Sequence, residues 1–528
     1  MRKLNLENGP TFIDPDSQFT LDVSGMDLPP AKVAELTEPG AGESAGRLEL
    51  AHREMQRIEA GEIKNPDEAR KVTHFTDRLA YPESEVCRAV ERLAAEVAAD
   101  PNVEYAVVNG IGGSALGPQL LQFAINGPYW NELSSRQRRG FPKLYFLDNT
   151  DPAGIADLKA AIDLRKTVVV TISKSGGTQE TRNNMIALEQ AFEAVGLNFA
   201  AAAVAITMPG SQLDRYAKAA NWRQILPLAD SIGGRTSETN VVGHLPAALG
   251  GIDFRRFLAG ACAMDRLTRN PELADNPAYQ LAVAWHVCGN GRGDRNLVVV
   301  PYADRLVLLG KYLQQLIMES LGKELDRSGR TVHQGLTVYG NKGGTDAHAY
   351  IQQLNDGRDD FFVTFIETLR DAEAIEIENG LTMGDYLHAF RQGLRNALRE
   401  KRRKVIDIQL PEVSEFYLGM LIALYERAVA CYAELIDINA FHQPGVQAYK
   451  LASGKINQLF EKLQTWAETL PRDFVGTAAE VAAALGAPRQ AAEIGGWLDK
   501  LAVNGRDLAD RKVNRNHAAG AWRYRIGR

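Results

Sequence analysis

The apolar positions of the chain fall into two kinds of run. Short runs are apolar on nearly every residue: "EYAVVNG" (104–110), "KLYFLDN" (143–149), "KTVVVTIS" (166–173), "AAVAIT" (202–207), "RNLVVVPY" (295–302) and "DFFVTFIET" (360–368). Longer runs carry helical spacing. "LGPQLLQFAI" (116–125) is one. "ADRLVLLGKYLQQLIMESLGKE" (303–324) sets Leu306, Leu309, Leu313, Leu316 and Ser320 on one side, and "EFYLGMLIALYERAVACYAEL" (415–435) is apolar almost all round, as a buried helix is. Strands without polar alternation have both faces covered. Separated by helices, they predict parallel sheets between helical layers.

The pattern therefore predicts an α/β chain with two doubly wound parallel-sheet domains, each an α/β/α sandwich, over 46–265 and 266–465. Residues 1–45, rich in Pro, Gly and acidic side chains, read as an extended N-terminal arm. Residues 466–528, Ala-rich, read as a separate helical C-terminal segment. A length of 528 residues suits two or more domains with their own cores.

Charge and cysteine content narrow the function classes. Sixty basic and 66 acidic side chains give a net charge of −6, which speaks against nucleic acid or an anionic membrane as the main partner. Cys87, Cys262, Cys288 and Cys431 lie far apart with no CxxC pair, a reduced pattern that predicts a cytoplasmic protein without disulfides or a zinc site. The start, "MRKLNLENGPTFIDPDS", lacks the apolar core of a signal peptide, and no apolar run reads as long enough to cross a bilayer. "TAAEVAAALGAPRQAA" (477–492) looks like the opening of a helix-turn-helix, but no basic surface is evident beside it.

The candidate chemistry sits in the loops. "NGIGGSALGP" (109–118) satisfies a dinucleotide pattern, GxGxx(G/A), but the nearest strand-end acid, Asp148, lies 33 residues beyond Ala115, too far for a ribose contact. In "TVVVTISKSGGTQETRNNM" (167–185) a strand hands over to a helix through Ser-Lys-Ser-Gly-Gly-Thr. Such a loop points unpaired N–H groups outward at the positive end of the helix dipole, and Ser173, Ser175, Thr178 and Lys174 add short donors and a charge. The P-loop order GxxxxGK(S/T) is absent. A phosphate that is held without being cleaved fits better, as on a sugar phosphate.

"SKSGGTQET" resembles the phosphate loop of sugar-isomerase (SIS) domains, and "GIGGSALGP" the first glycine loop of the glucose-6-phosphate isomerase (phosphoglucose isomerase) family. "GGRTS" (233–237), "QQLIMESLGK" (314–323), "GGTDAH" (343–348) and "HQPGVQAYK" (442–450) match the same family in order, over about 105–455. The resemblance implies two SIS-like domains and a cofactor-free, metal-free cytoplasmic isomerase that interconverts glucose 6-phosphate and fructose 6-phosphate in glycolysis and gluconeogenesis. It implies Glu319 as the base that moves a proton between C1 and C2, and Arg235 as the group that stabilises the enediolate. His348 and Lys450 would assist ring opening, with Glu180 orienting His348. Gly113, Ser114, Ser173, Lys174, Ser175 and Thr178 would cradle sugar and phosphate, and Gln315 and Gln443 would hold hydroxyls or phosphate. A homodimer with shared active sites follows from the same resemblance. Two positions depart from the family: Gly176 and Gly177 replace bulkier residues, and Thr236 replaces an aromatic.

The residue chemistry agrees. Aldose–ketose isomerisation needs a carboxylate poised over a carbon acid and a cation that stays charged. Gln315 and Glu319, four apart, share a helix face. Arg235 follows two glycines, so its backbone can approach a ligand closely. Two rival readings are an isomerase of another phosphosugar and a non-catalytic SIS module that senses a sugar phosphate. The sensor would need the cradle but not Glu319, Arg235, His348 and Lys450 together.

Overall fold

The structure, a computed structural model, describes residue 4 and residues 10–65, 70–518 and 520–527. The chain divides into two units, Met1–His442 and Gln443–Arg528.

The first unit holds two central sheets. One is wholly parallel, with strands Tyr105–Asn109, Lys143–Leu147, Thr167–Ile172, Ala203–Thr207 and Gln224–Pro227. Tyr105–Asn109 lies between Lys143–Leu147 and Thr167–Ile172, so the chain turns to opposite sides of its first strand. That reversal opens a crevice at the carboxyl ends of Tyr105–Asn109 and Thr167–Ile172, where doubly wound sheets bind ligands. All six residues of Thr167–Ile172 are buried, as its unbroken apolar pattern requires.

The second sheet has four parallel strands, Val338–Tyr339, Asn296–Tyr302, Phe361–Thr368 and Lys404–Leu410. The N-terminal stretch expected as an extended arm adds to it: Phe12–Asp14 and Phe19–Asp22 form a hairpin that pairs antiparallel with Lys404–Leu410, with Leu21 opposite Ile408. This second sheet is therefore mixed. Phe19 and Leu21 are fully buried, which anchors the hairpin. Residues 1–3 and 5–9 of the expected arm lie outside the described residues.

The helix Glu415–Leu435 forms as its pattern predicts and packs against Phe254–Leu267 and Pro277–Cys288. By length and composition it could cross a membrane, contrary to the expectation that no run would. It is buried inside the unit, and its Glu426 and Arg427 form ion pairs there with Arg78 and Asp265.

In the second unit the expectation of an all-helical C-terminus fails. Helices Ala478–Ala484 and Ala491–Val503 follow the long helix Pro444–Thr469, but a four-stranded antiparallel sheet accompanies them. Its main hairpin pairs Arg511–Ala518 with Ala521–Gly527, and Val513, Tyr524 and Ile526 point into a core shared with Leu459, Leu463, Ile494 and Leu498. The basic residues of that hairpin face acids: Arg515 with Asp499, Arg525 with Asp473, and Lys512 with Asp507.

Candidate active site

Four segments of the first unit build the site. The first is the turn after Tyr105–Asn109, which leads into the helix Gly113–Asn126. Gly112 has φ +58°, and a Cβ there would stand 2.9 Å from Gln315 Nε2. A Cβ on Gly113 would lie 1.8 Å from the carbonyl oxygen of Gly234. These two glycines let the turn press against the Gly234–Arg235 backbone and against the helix of Gln315. Ser114 follows in the first turn, half-buried.

The second segment is the Ser-Lys-Ser-Gly-Gly-Thr loop between Thr167–Ile172 and the helix Gln179–Ala194. It is held by its own side chains. Ser173 Oγ accepts from Gly176 N at 3.1 Å, Ser175 Oγ accepts from Gly177 N at 3.1 Å, and the Ser173 and Thr178 hydroxyls lie 3.5 Å apart. Thr178 is the N-cap residue, and its side chain makes no capping bond. Lys174 is turned to the loop before Arg235. Its ammonium donates to the carbonyls of Asp230 and Ile232 and pairs with the Asp230 carboxylate at 2.9 Å. Asn109, at the end of its strand, ties the first turn to the helix that follows the second loop: its Nδ2 donates to Thr181 O at 2.9 Å and its Oδ1 accepts from Asn184 Nδ2 at 3.3 Å.

Arg235 stands on a short turn, Gly234–Thr236, and is 5% exposed. Its Nε donates to Ser320 Oγ at 2.7 Å, and Nη2 donates to Ala440 O and to His442 O. Nη1 is 3.6 Å from Glu319 Oε1.

Glu319 closes the set. The run 303–324, expected as one regular helix, is three pieces: a single turn at Asp304–Leu306, an α-helix Leu309–Leu313 and a π-helical stretch Gln314–Glu319. Wide π turns occur often at functional sites. Here the widened turn still lets Gln315 Nε2 donate to Glu319 Oε2 at 3.1 Å. The helix end is closed by Lys323, which pattern reasoning missed: its buried ammonium donates to Glu319 O at 2.9 Å and Ser320 O at 2.7 Å. Burial, with the Arg235 charge nearby, pushes Lys323 down to about 7.

The structure thus brings Gly113, Arg235, Gln315 and Glu319 together, with the Ser173–Thr178 loop at the neighbouring strand end. Among the described residues no hydrogen bond or ion pair joins Glu180 to His348. Glu180 lies half-buried in the first turn of Gln179–Ala194, while His348 is exposed on the turn Thr345–His348. Among the described residues His348 makes no side-chain hydrogen bond or ion pair. Asp346 anchors that turn, accepting from Asn341 N and the Tyr350 hydroxyl. In the second unit, Gln443 precedes Pro444 as the N-cap residue of Pro444–Thr469, and Lys450 is exposed on that helix.

The described residues hold one group with metal-ligand chemistry, Cys87, Glu91 and His244, whose ligand atoms lie within 4.8 Å. Its Glu91 already takes the Arg255 guanidinium at 2.6 Å, and burial pushes the Cys87 thiol up to about 11, against the thiolate a metal needs.

Comparison with known proteins fits this geometry. Residues 84–390 match the family model described as phosphoglucose isomerase. The chain belongs to the phosphoglucose isomerase family. It is 45% identical over 515 residues to the glucose-6-phosphate isomerase of Citrifermentans bemidjiense, covering 94% of this chain and 93% of that one. It is also 45% identical over 521 residues to that of Thermosynechococcus vestitus, with 94% of each covered. A crystal structure of a glucose-6-phosphate isomerase from Chlamydia trachomatis superimposes with a TM-score of 0.75 at 26% identity, over 85% of this chain and 90% of that one. A hypothetical protein from Thermus thermophilus gives 0.69 at 29% identity, over 83% of this chain and 99% of that one. The SIS-like α/β architecture is therefore that of the family.

Proposed function

We propose that the chain is a glucose-6-phosphate isomerase that converts glucose 6-phosphate and fructose 6-phosphate through an enediol. The observation that carries the reading is the meeting of Glu319, Gln315 and Arg235 beside the Ser173–Thr178 loop. In this scheme the loop takes the 6-phosphate on its N–H groups and hydroxyls. Glu319 removes the proton from C2 of the open-chain aldose, and the C–H electron pair becomes the C1–C2 double bond. The carbonyl oxygen gains negative charge beside Arg235, whose guanidinium stays charged in a dry site. The O2 hydroxyl proton passes to O1, the O2 electron pair forms the new C2 carbonyl, and the C1–C2 electron pair takes the proton back from Glu319 at C1, leaving the ketose.

Ring opening is assigned to His348 and Lys450, and Gln443 to the substrate's polar groups. The exposure of His348, with no side-chain partner among the described residues, supports its serving a second copy of the chain, with Glu180 of that copy orienting it. A homodimer with composite sites follows. The reading calls for no metal or cofactor. The relatives' names favour this isomerase over a sensor or an isomerase of another phosphosugar. A coupled assay of fructose 6-phosphate turnover, without added metal or nucleotide, tests it. Turnover supports the reading, and none from folded protein rejects it.

A further inference from the structure

Glu238 lies three residues after Arg235 and is fully buried. It accepts a hydrogen bond from the hydroxyl of Tyr312, itself buried, on the helix that runs on to Gln315 and Glu319. Its Cβ sits where a side chain on Gly117 would be, 2.7 Å from that glycine's ideal Cβ position, so it also abuts the helix that begins at Gly113. Glu238 is therefore wedged where the arginine turn, the first glycine helix and the Glu319 helix meet.

Its other oxygen, Oε2, is buried with no donor among the described residues, and so is Oε1 of Glu426. The two carboxyl groups are within hydrogen-bonding reach of each other. Two buried carboxylates cannot both stay charged at that range. Tyr312 donates to Glu238, and Glu426 pairs with Arg78, with Asp265 the other acid nearby. Among the described residues Arg78 is the cation that faces the pair, so one charge is compensated and the other is not. A single proton between Glu238 and Glu426 satisfies both orphaned oxygens and removes the second charge.

We propose that Glu238 and Glu426 share one proton, and that this neutralised pair, through Tyr312, is the positioning device that holds the Arg235 turn against the helix of Glu319. The catalytic half of the proposal rests on the isomerase reading. Burial and the neighbouring acid both push Glu238 up from the usual carboxylate range, in keeping with the retained proton.

The proton is tested without substrate. At neutral pH the infrared spectrum should show the carbonyl stretch of one protonated carboxylic acid, absent in Glu238→Gln. Because the folded chain keeps a proton that the unfolded chain releases, stability should fall as pH rises above the ordinary glutamate range. The unfolding constant of wild type relative to Glu238→Gln should then rise by up to about tenfold per pH unit. An unchanged spectrum and parallel pH curves would overturn the shared proton.

Positioning is tested kinetically. Gln can donate to Glu426 and accept from Tyr312, so Glu238→Gln should keep kcat near wild type. Tyr312→Phe and Glu238→Ala should lower kcat by about 10²-fold, the scale of a misplacement near 1 Å, with KM little changed because the phosphate loop is untouched. Their combination should cost no more than either alone. Should Glu238→Ala not fold, Tyr312→Phe, which loses one hydroxyl, carries the test. Wild-type kcat in Tyr312→Phe overturns the positioning role. No turnover by wild type would reject the isomerase reading, and the positioning role with it, while the spectrum and pH curves would still decide the proton.

Discussion

Arg235 Nη1 stands 3.6 Å from Glu319 Oε1, and Arg235 Nε donates to Ser320 Oγ at 2.7 Å. The cation is thus bolted to the residue next to the carboxylate rather than to the carboxylate itself. At 3.6 Å the pair is an ion pair rather than a close hydrogen bond, which leaves Oε1 of Glu319 free to take the proton that its proposed role assigns to it. Gln315, from the turn before, fixes only Oε2.

This arrangement makes Glu319→Gln the most direct test of the base. The variant keeps size and the Gln315 contact but cannot take the proton. Turnover should fall by at least about 10²–10⁴-fold while substrate still binds. Wild-type-like kcat, with binding measured by calorimetry, would remove Glu319 from the mechanism.

The Thr178 hydroxyl, free of the usual capping bond and 3.5 Å from Ser173 Oγ, is expected to bind the phosphate. Thr178→Val keeps the shape and deletes the donor. KM for phosphosugars should rise, by an amount matching about 1.5–3 kcal/mol for a hydrogen bond to a charged group, and inhibition by inorganic phosphate should weaken in step. Unchanged phosphate inhibition would mean that the anion sits elsewhere.

What was legible in the chain was what is local. Strand-then-small-hydroxyl loops announce themselves within ten residues, so the turn at 173–178 and the glycines at 112–113 could be read directly. The Gln315–Glu319 pairing was legible too, because a four-residue spacing brings them together even in the widened turn. The π-helical form of that turn was not, since apolar spacing does not distinguish it from an α-helix over six residues. Glu238 in "RTSETN" reads as a surface acid: its burial depends on Tyr312 and Glu426, 74 and 188 positions away. The N-terminal hairpin was misread for the same reason, its partner strand Lys404–Leu410 lying far along the chain, with Asp407 opposite Asp22. The C-terminal sheet did carry a signal. Val513, Tyr524 and Ile526 fall at alternating positions around a small-residue turn, but arginines between them disguise the strands.

Gly113→Ala tests the close approach of the glycine turn. The added carbon would meet the Gly234 backbone carbonyl at 1.8 Å, where no flexible side-chain end can yield. The turn or the arginine loop must shift, at a cost of about 1–3 kcal/mol or more. Melting temperature and kcat should both fall. A variant with wild-type values of both would show that the two loops are not in contact.

Lys323 gives a pH signature. Its folded value, about 7, is below that of an exposed lysine, so between the two the unfolded chain binds a proton that the folded chain does not. Stability from this group therefore rises with pH above 7 and levels off near the ordinary lysine value. Relative to Lys323→Met, which has no proton to lose, wild type should gain stability between pH 7 and pH 10 in chemical denaturation. If the two curves run parallel there, the ammonium keeps its proton throughout.

The composite site is tested by mixing two inactive proteins, Glu319→Gln and His348→Ala. His348 is exposed, and among the described residues no hydrogen bond or ion pair joins it to Glu180, so its proposed role is assigned to a second copy. When subunits exchange, a mixed dimer has one protomer with each lesion. If His348 serves the partner, one of the two sites combines both lesions and the other has neither. Activity should then return on mixing, approaching a quarter of wild type when half the dimers are mixed and each regains one site of two. If His348 acts within its own chain, every site keeps one lesion and mixing restores nothing. Native mass spectrometry must show that mixed dimers formed, since without exchange silence carries no information. With mixed dimers present and activity still absent, the shared site is excluded and His348 must reach Glu319 of its own chain or leave the mechanism.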